Sequence, residues 1–343
     1  MAVWTGIISP ETGALSRYRG LLDRLTARIM PADLHGSEHT DIRSTDYSIV
    51  AVHGARQSVL RNGPSALVGI AADPQSRQNE VPWFKIGGRS PDGSMALCRA
   101  TSRELEAVTD YAGSRSIYHA RLECGGLVVS TSFELIVALL GKFDADERAL
   151  GWYLSSGTVG PGRSWDKRVK PLPRNSRLRA VLGPSGISVT TSKVKHDREP
   201  LPRIDAKIMG EELISTLAAF DFGESPWLLA LSGGYDSRTI LKGTMNITDL
   251  TCVTWVDEGL VENGETDVAI ARRLAAAAGR PHEVKIVKRP RSASELDDAL
   301  RRFVRYSGGR VDNVLSYVDG MKVWDEFSRS GAVGVLRGDE LFG

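Results

Sequence analysis

The sequence predicts an α+β domain rich in antiparallel strands, followed by an α/β domain built on a doubly wound parallel sheet. Three observations carry this reading. Up to about residue 135, short β-rich runs are punctuated by glycine and proline turns. Residues 191–206 are charged, contain Pro200 and Pro202, and show no apolar period, as expected of a domain connection. From Trp227 onward, apolar runs alternate with helical patterns, which implies parallel strands joined by crossover helices. A chain of 343 residues is long enough for two cores. We expect a first domain at 1–195, a linker at 196–206 and a second domain at 207–343.

In order, Ala2 to Ser9 reads as an opening strand closed by Pro10. Leu15, Tyr18, Leu21, Leu22, Leu25 and Ile29 have helical spacing. Turns are expected at Asn62-Gly63-Pro64, Gly87-Gly88 and Pro91-Asp92-Gly93. Strands are expected at Leu67 to Ala71, Ser94 to Ala100, Leu105 to Thr109 and Gly126 to Ser130, with a helix from Phe133 to Leu140. Past the connection, Ile208, Leu213 and Leu217 place a helix from Ala206 to about Phe220, leading into an apolar strand at Trp227–Leu231. A second strand runs from Leu250 to Val256, a helix from Thr266 to Ala278 stops at Gly279, and a third strand spans Pro281 to Val287. Residues 292–328 read as two helices, and Ala332 to Leu336 as a fourth strand.

Composition excludes several classes. Net charge is +2, from 44 basic and 42 acidic residues, so no global field favours nucleic acid or a membrane surface. Cys98, Cys124 and Cys252 are scattered without a C-x-x-C pair, which fits buried thiols in a reducing compartment better than disulfides or zinc. Neither a signal peptide nor a membrane-spanning run is legible, and a cytoplasmic location is expected.

The chemistry concentrates at Ser232-Gly233-Gly234-Tyr235-Asp236-Ser237. A strand that breaks into a glycine turn and then a helix, here marked by Ile240, Leu241 and Met245, aims backbone N–H groups and the positive helix end at one point, suited to phosphate. Ser232 and Ser237 add hydroxyl donors. Asp236 would repel phosphate unless it holds Mg²⁺, which binds through one or two carboxylates plus phosphate oxygens. The segment is not a Walker loop, because the lysine of G-x-x-x-x-G-K-[ST] is missing.

This S-G-G-x-D-S segment resembles the loop of the PP-loop ATP pyrophosphatases, which split ATP into AMP and pyrophosphate. Upstream, Asp110-Tyr-Ala-Gly113-Ser-Arg-Ser-Ile-Tyr118-His, then Gly126 to Ser130 and Phe133 to Leu140, resemble the later part of the Ntn-type glutaminase sandwich of class II amidotransferases. Tyr153-Leu-Ser-Ser-Gly157, Lys170-Pro-Leu-Pro173 and Ser176 resemble its closing segment. The order of parts is similar to the asparagine synthetase family.

That resemblance implies roles for particular residues. Arg337-Gly338-Asp339-Glu340-Leu-Phe-Gly343 resembles the family's second signature, whose aspartate shares the loop's Mg²⁺, so Asp236 and Asp339 form the expected catalytic metal pair. Leu231, Ser232, Gly233, Gly234, Asp236, Ser237, Trp255, Val256, Arg337 and Gly338 form the expected ATP-binding set, with Trp255 or Val256 at the adenine. Arg337 departs from the pattern and either contacts phosphate or caps the strand end. Glu262, Glu265 and Asp267 mark either a solvated loop and helix start, where acids are favoured, or a second metal or substrate role. His282 reads as a structural residue at a strand start.

The family's glutaminase nucleophile is a cysteine at position 2, activated by its own α-amine. Here that position is Ala2, and Asn62-Gly63 is followed by Pro64 where the glutamine-binding N-G-E segment is sought. The first domain is therefore expected to be a scaffold without glutamine hydrolysis. Relatives continue past the second signature, so the resemblance implies that further residues, or a second subunit, complete the synthetase domain.

The implied function is an ATP-dependent amide-bond-forming ligase acting on a small-molecule or peptide carboxylate. Beta-lactam synthetases and lasso-peptide cyclases share this logic, which points to a peptide or natural-product cyclase. An asparagine synthetase using ammonia or glutamine and a non-catalytic nucleotide-binding subunit remain as alternatives. A tRNA-modifying role lacks a basic stripe or cysteine pair to support it.

Overall fold

The opening strand β1 (Val3–Ile8) is buried at every position, because it runs through the centre of a sheet covered on both faces. The computed structural model describes residues 2–29, 39–54, 59–71, 82–194, 205–219, 222–257, 266–307 and 314–338. The chain divides into two compact units, Met1–His196 with Val304–Asn313, and Asp197–Phe303 with Val314–Gly343.

In the first unit, α1 (Thr12–Ile29) follows β1, and β2 (His39–Ser44), β3 (Ser48–Gly54), β4 (Val59–Asn62) and β5 (Ser65–Ala71) come next. After a 3₁₀ turn at Pro82–Phe84 come β6 (Gly93–Ala100), β7 (Glu104–Thr109), β8 (Tyr118–Arg121) and β9 (Leu127–Ser130). Helices α2 (Phe133–Leu139) and α3 (Glu147–Ser156) precede β10 (Lys170–Pro171), β11 (Ser176–Gly183) and β12 (Gly186–Lys193). These strands make two antiparallel sheets, ordered β10-β8-β9-β1-β3-β2 and β12-β11-β7-β6-β5-β4.

The inner faces of the two sheets share one core. Trp4, Ile8, Val50 and Val52 meet Ala66, Val68, Ala96 and Leu105, each large apolar side chain contributing about 1.5–3 kcal/mol by burial. Trp4 Nε1 donates to the Ala96 carbonyl at 2.9 Å, tying one sheet to the other. Leu15, Tyr18 and Leu22 of α1, with Phe133 and Ile136 of α2, cover the opposite face of the first sheet. Trp83 from the 3₁₀ turn covers Leu67, Leu97 and Val108 on the outer face of the second. The result is an α+β sandwich.

A fully buried ion pair lies beneath Trp83. Arg99 bonds Glu106, the Trp83 carbonyl and the Arg89 carbonyl (2.6 Å), and Glu106 also accepts from the Gly87 amide at 3.2 Å. With their donors and acceptors engaged, the two charges fix the segment around residues 83–89 on the sheet rather than standing as an uncompensated burial. Cys98 and Cys252 are free thiols, pushed by burial up to about 12 and about 11.

The start of the connection needs correction. Thr191 to Lys193 are the end of β12, paired with Ser176 to Leu178 of β11. This edge strand is exposed along most of its second half, so its side chains carry no apolar signal, and its ladder to β11 alone makes it a strand.

In the second unit, α4 (Ala206–Ala219) leads to β13 (Trp227–Ala230), α5 (Tyr235–Gly243), β14 (Leu250–Asp257), α6 (Asp267–Ala277) and β15 (His282–Val287). Helices α7 (Ala293–Ser307), of which the residues up to Phe303 belong to this unit, and α8 (Val314–Arg329) precede β16 (Gly334–Leu336). The four strands are parallel, in the order β15-β14-β13-β16. One face packs Leu229, Leu231 and Cys252 against Leu217, Ile240, Leu241, Ala271 and Ala275. On the other face, Leu228 and Val253 pack against Val323 and Phe327 of α8. Helices on both faces make the sheet doubly wound. Among the described residues, no helix is long and apolar enough to cross a membrane.

Candidate functional site at the carboxyl edge of the parallel sheet

The strand order reverses between β13 and β16: β14 and β15 are added on one side of β13, and β16 returns on the other. In open parallel sheets such a reversal leaves a crevice outside the carboxyl ends of the two strands, where ligands bind. Ser232–Gly234 leave β13 at this place, and Arg337–Gly338 leave β16. The two segments touch. A Cβ added to Gly338 would lie 2.7 Å from the Asp236 carbonyl carbon and 2.9 Å from the Ser237 nitrogen. Only a glycine lets that backbone lie against the start of α5.

A cavity of about 230 Å³ opens beside this contact, lined by Ala230, Leu231, Ser232, Ser237, Val253, Thr254, Trp255, Asp267 and Gly338. The loop is held by its own serines. Ser237 Oγ accepts from the Ser232 amide at 3.1 Å and lies 3.1 Å from Ser232 Oγ, which accepts from the Gly234 amide at 3.1 Å. Ser237 is buried. Arg238 donates to the Gly233 carbonyl at 2.6 Å, holding that oxygen by a charge-assisted bond. Gly234 is the N-cap of α5 and supplies no side-chain cap. The Tyr235, Asp236 and Ser237 amides therefore open the helix without intrahelical acceptors, with the positive end of the helix dipole behind them.

Most of the sequence-predicted set gathers here. Leu231, Ser232, Ser237, Trp255 and Gly338 line the cavity, Gly233 and Gly234 form the loop beside it, and Asp236 lies against Gly338. Val256, the next residue on β14, is half-buried and not among the lining residues. Arg337 does not line the cavity either: its guanidinium lies over the Trp324 ring, 5.4 Å from the centroid, an attraction that directs it toward α8. Asp339, Glu262 and Glu265 fall outside the described residues.

His282 has a structural part. Thr254 Oγ1 donates to the Leu231 carbonyl at 2.6 Å, which uses its one proton, so it accepts from His282 Nε2 at 2.9 Å. Burial, and then the Arg272 charge, push the imidazole below its usual range and keep it neutral in this role. This chain of bonds ties β15 through β14 to the last residue before the loop. The part taken by Asp267 was not resolved from sequence: its Oδ1 accepts from the Gly233 amide at 2.9 Å, across 34 residues. Proximity of the α6 start to the loop could be anticipated from the sheet order, but the individual bond could not.

In the first unit, the position expected of a glutaminase nucleophile is filled by Ala2, only 3 % exposed and packed into the inter-sheet core. Nearby, Thr5 and Ser130 hydroxyls are bonded to one another at 2.7 Å. Asp110 is buried and accepts from the Met95 and Ser114 amides, both at 3.0 Å, so the passage that carries the amidotransferase resemblance is a bonded turn.

No protein-family model matches the chain, and no curated protein matches it. Among solved structures, the chain is similar to glutamine phosphoribosylpyrophosphate amidotransferase from B. subtilis complexed with ADP and GMP. The identity is 11 %, covering 87 % of this chain and 70 % of that one, with a TM-score of 0.34. It is also similar to the allosteric regulatory enzyme of purine biosynthesis, at 12 % identity, 84 % and 81 % coverage and a TM-score of 0.35. At TM-scores this low, neither likeness bears on function.

Proposed function

We propose that the chain is an ATP-dependent ligase that activates a carboxylate, releasing AMP and pyrophosphate, and transfers it to an amine to form an amide. A peptide or natural-product carboxylate whose amine is already present, closed into a ring, suits the chain best, because Ala2 offers no nucleophile for releasing ammonia from glutamine.

One observation supports this above the others: Gly338 packs against Asp236 at the point where the strand order reverses, beside a cavity lined by loop serines and by Trp255. The parts suit a Mg²⁺–polyphosphate. The amides opening α5 and the Ser232 hydroxyl are donors for phosphate oxygens, while Ser237 Oγ, bonded to the Ser232 and Gly234 carbonyls, holds the loop in shape. Asp236 supplies one hard oxygen ligand, with Asp339 next after Gly338 as the second. Mg²⁺, when bound, supplies charge neutralisation to the departing pyrophosphate. The chain's own task is to hold those phosphate oxygens in place and to keep Asp236 close to them.

Carboxylate-dependent exchange of radiolabelled pyrophosphate into ATP tests the proposal, using a panel of amino acids and peptides. Asp236→Asn should reduce exchange at least about a hundred-fold, as expected on losing a metal ligand and its charge at the reacting phosphates. ATP binding with no exchange for any carboxylate would leave only a nucleotide-binding role, and absence of ATP binding would end the reading.

A further inference from the structure

Asp267 is placed unexpectedly for a residue at a phosphate site. Its Oδ1 accepts from the Gly233 amide at 2.9 Å, and a Cβ on Gly233 would lie 2.6 Å from that same oxygen. The carboxylate is thus seated on the loop itself and lines the cavity. Helix capping does not account for it, since the N-cap of α6 is Thr266, whose side chain accepts from the Ala269 amide. No ion pair among the described residues accounts for it either. Asp267 is largely exposed, so its carboxylate was not driven there by burial.

A carboxylate oxygen on a glycine-loop amide has the charge and acceptor geometry of a phosphate oxygen. We infer that Asp267 is an internal anion that holds the Gly233 amide until a polyphosphate arrives, and that the ligand must displace or neutralise it to bind. This rests on the nucleotide reading above and deepens it. The loop is kept in shape without its ligand, by an opposing carboxylate below and the Arg238 guanidinium on the Gly233 carbonyl. The cost falls on ligands of high negative charge, so magnesium-complexed polyphosphate is favoured over the free anion.

The test is calorimetric titration of the full chain with inorganic pyrophosphate, in EDTA and in excess Mg²⁺. Asp267→Asn and Asp267→Ala both remove the charge, and only Asn keeps an acceptor for Gly233. Two like charges about 4 Å apart in a water-like surrounding repel by ~1 kcal/mol, so both variants should bind free pyrophosphate at least about five-fold more tightly than the parent. The gain should shrink with Mg²⁺ and with added salt, a dependence that a purely structural role would not produce. A structural clamp would instead give unchanged affinity for Asn and weaker binding for Ala; a metal ligand would give weaker binding for both in Mg²⁺ alone. Either result overturns the inference while leaving the nucleotide reading intact. No binding by the parent or the variants, with or without Mg²⁺, overturns both.

Discussion

Gly338→Ala probes the contact on which the functional reading depends. The added Cβ would sit 2.7 Å from the Asp236 carbonyl carbon, 2.9 Å from the Ser237 nitrogen and 3.0 Å from the Asp236 Cβ. Unstrained contacts of this kind lie at about 3.5–4.0 Å, so one backbone must retreat by about 1 Å. Neither neighbour is the end of a flexible side chain. α5 is anchored by the buried Ile240 and Leu241, whereas β16 is a three-residue edge strand. The segment after β16 should therefore be the one that moves, taking Gly338 away from the start of α5. Overpacking of this kind costs about 1–3 kcal/mol, and the low end applies because an edge can yield. We expect a loss of about 1 kcal/mol in urea unfolding and a loss of about ten-fold in Mg²⁺–pyrophosphate affinity by calorimetry. Gly210→Ala on α4, where an added Cβ meets nothing within 4 Å, is the control, and should leave binding unchanged. A Gly338→Ala protein that binds pyrophosphate as the parent does would refute the idea that the two loops form one site.

Two further outcomes follow from the buried charges. Arg99→Met leaves the buried Glu106 with only the Gly87 amide and the partly exposed Arg177 guanidinium at 3.3 Å, and should lower the unfolding free energy by about 3 kcal/mol, the low end for breaking a buried pair; adding Glu106→Leu should restore part of it. Equilibrium unfolding in urea measures both. His119 is held below its usual range by burial and then by Lys170 and Arg121, and His282 by burial and then by Arg272. Unfolded, each binds a proton near pH 6.5, whereas folded, each does so only at lower pH. The unfolded state thus holds more protons as pH falls, and stability present above about pH 6.5 should be lost below it. Unfolding midpoints between pH 5 and 8 should show this slope, and His119→Asn should flatten it.

The parallel sheet was legible through its two central strands, β13 and the first half of β14, which are buried at most positions, whereas β15 and β16 have no fully buried residue. Trp227 to Ala230 reads as a continuous apolar run and Leu250 to Val256 as a β-branched one, and each is followed by its own helical period. The hairpin of β11 and β12 was missed despite a usable signal: Ser176 to Gly183 alternate buried and half-buried, and Gly183-Pro184-Ser185-Gly186 marks the turn. β10, only two residues long, carries no pattern and exists through its pairing with Tyr118 and His119 of β8.

The site was legible where chemistry is local in sequence and illegible where it depends on the sheet order. Ser232 to Ser237 read as the anion-binding turn proposed above, because the glycines, the hydroxyls and the helix start lie within one short segment. Arg337 could not be assigned, since a guanidinium is attracted both by phosphate and by an aromatic face, and only the packing of α8 puts Trp324 within its reach. Asp267 is the sharper case. An acid in the first turn of a helix is ordinary, and only the pairing of β13 with β14 brings α6 beside the loop, where that carboxylate meets Gly233. With Asp236 in the first turn of α5 and Asp267 on the Gly233 amide, the loop carries two negative side chains near the amides proposed to bind phosphate. Such a site is self-consistent when a divalent cation enters with its ligand, and this makes the difference between free and magnesium-bound pyrophosphate the most informative quantity to measure.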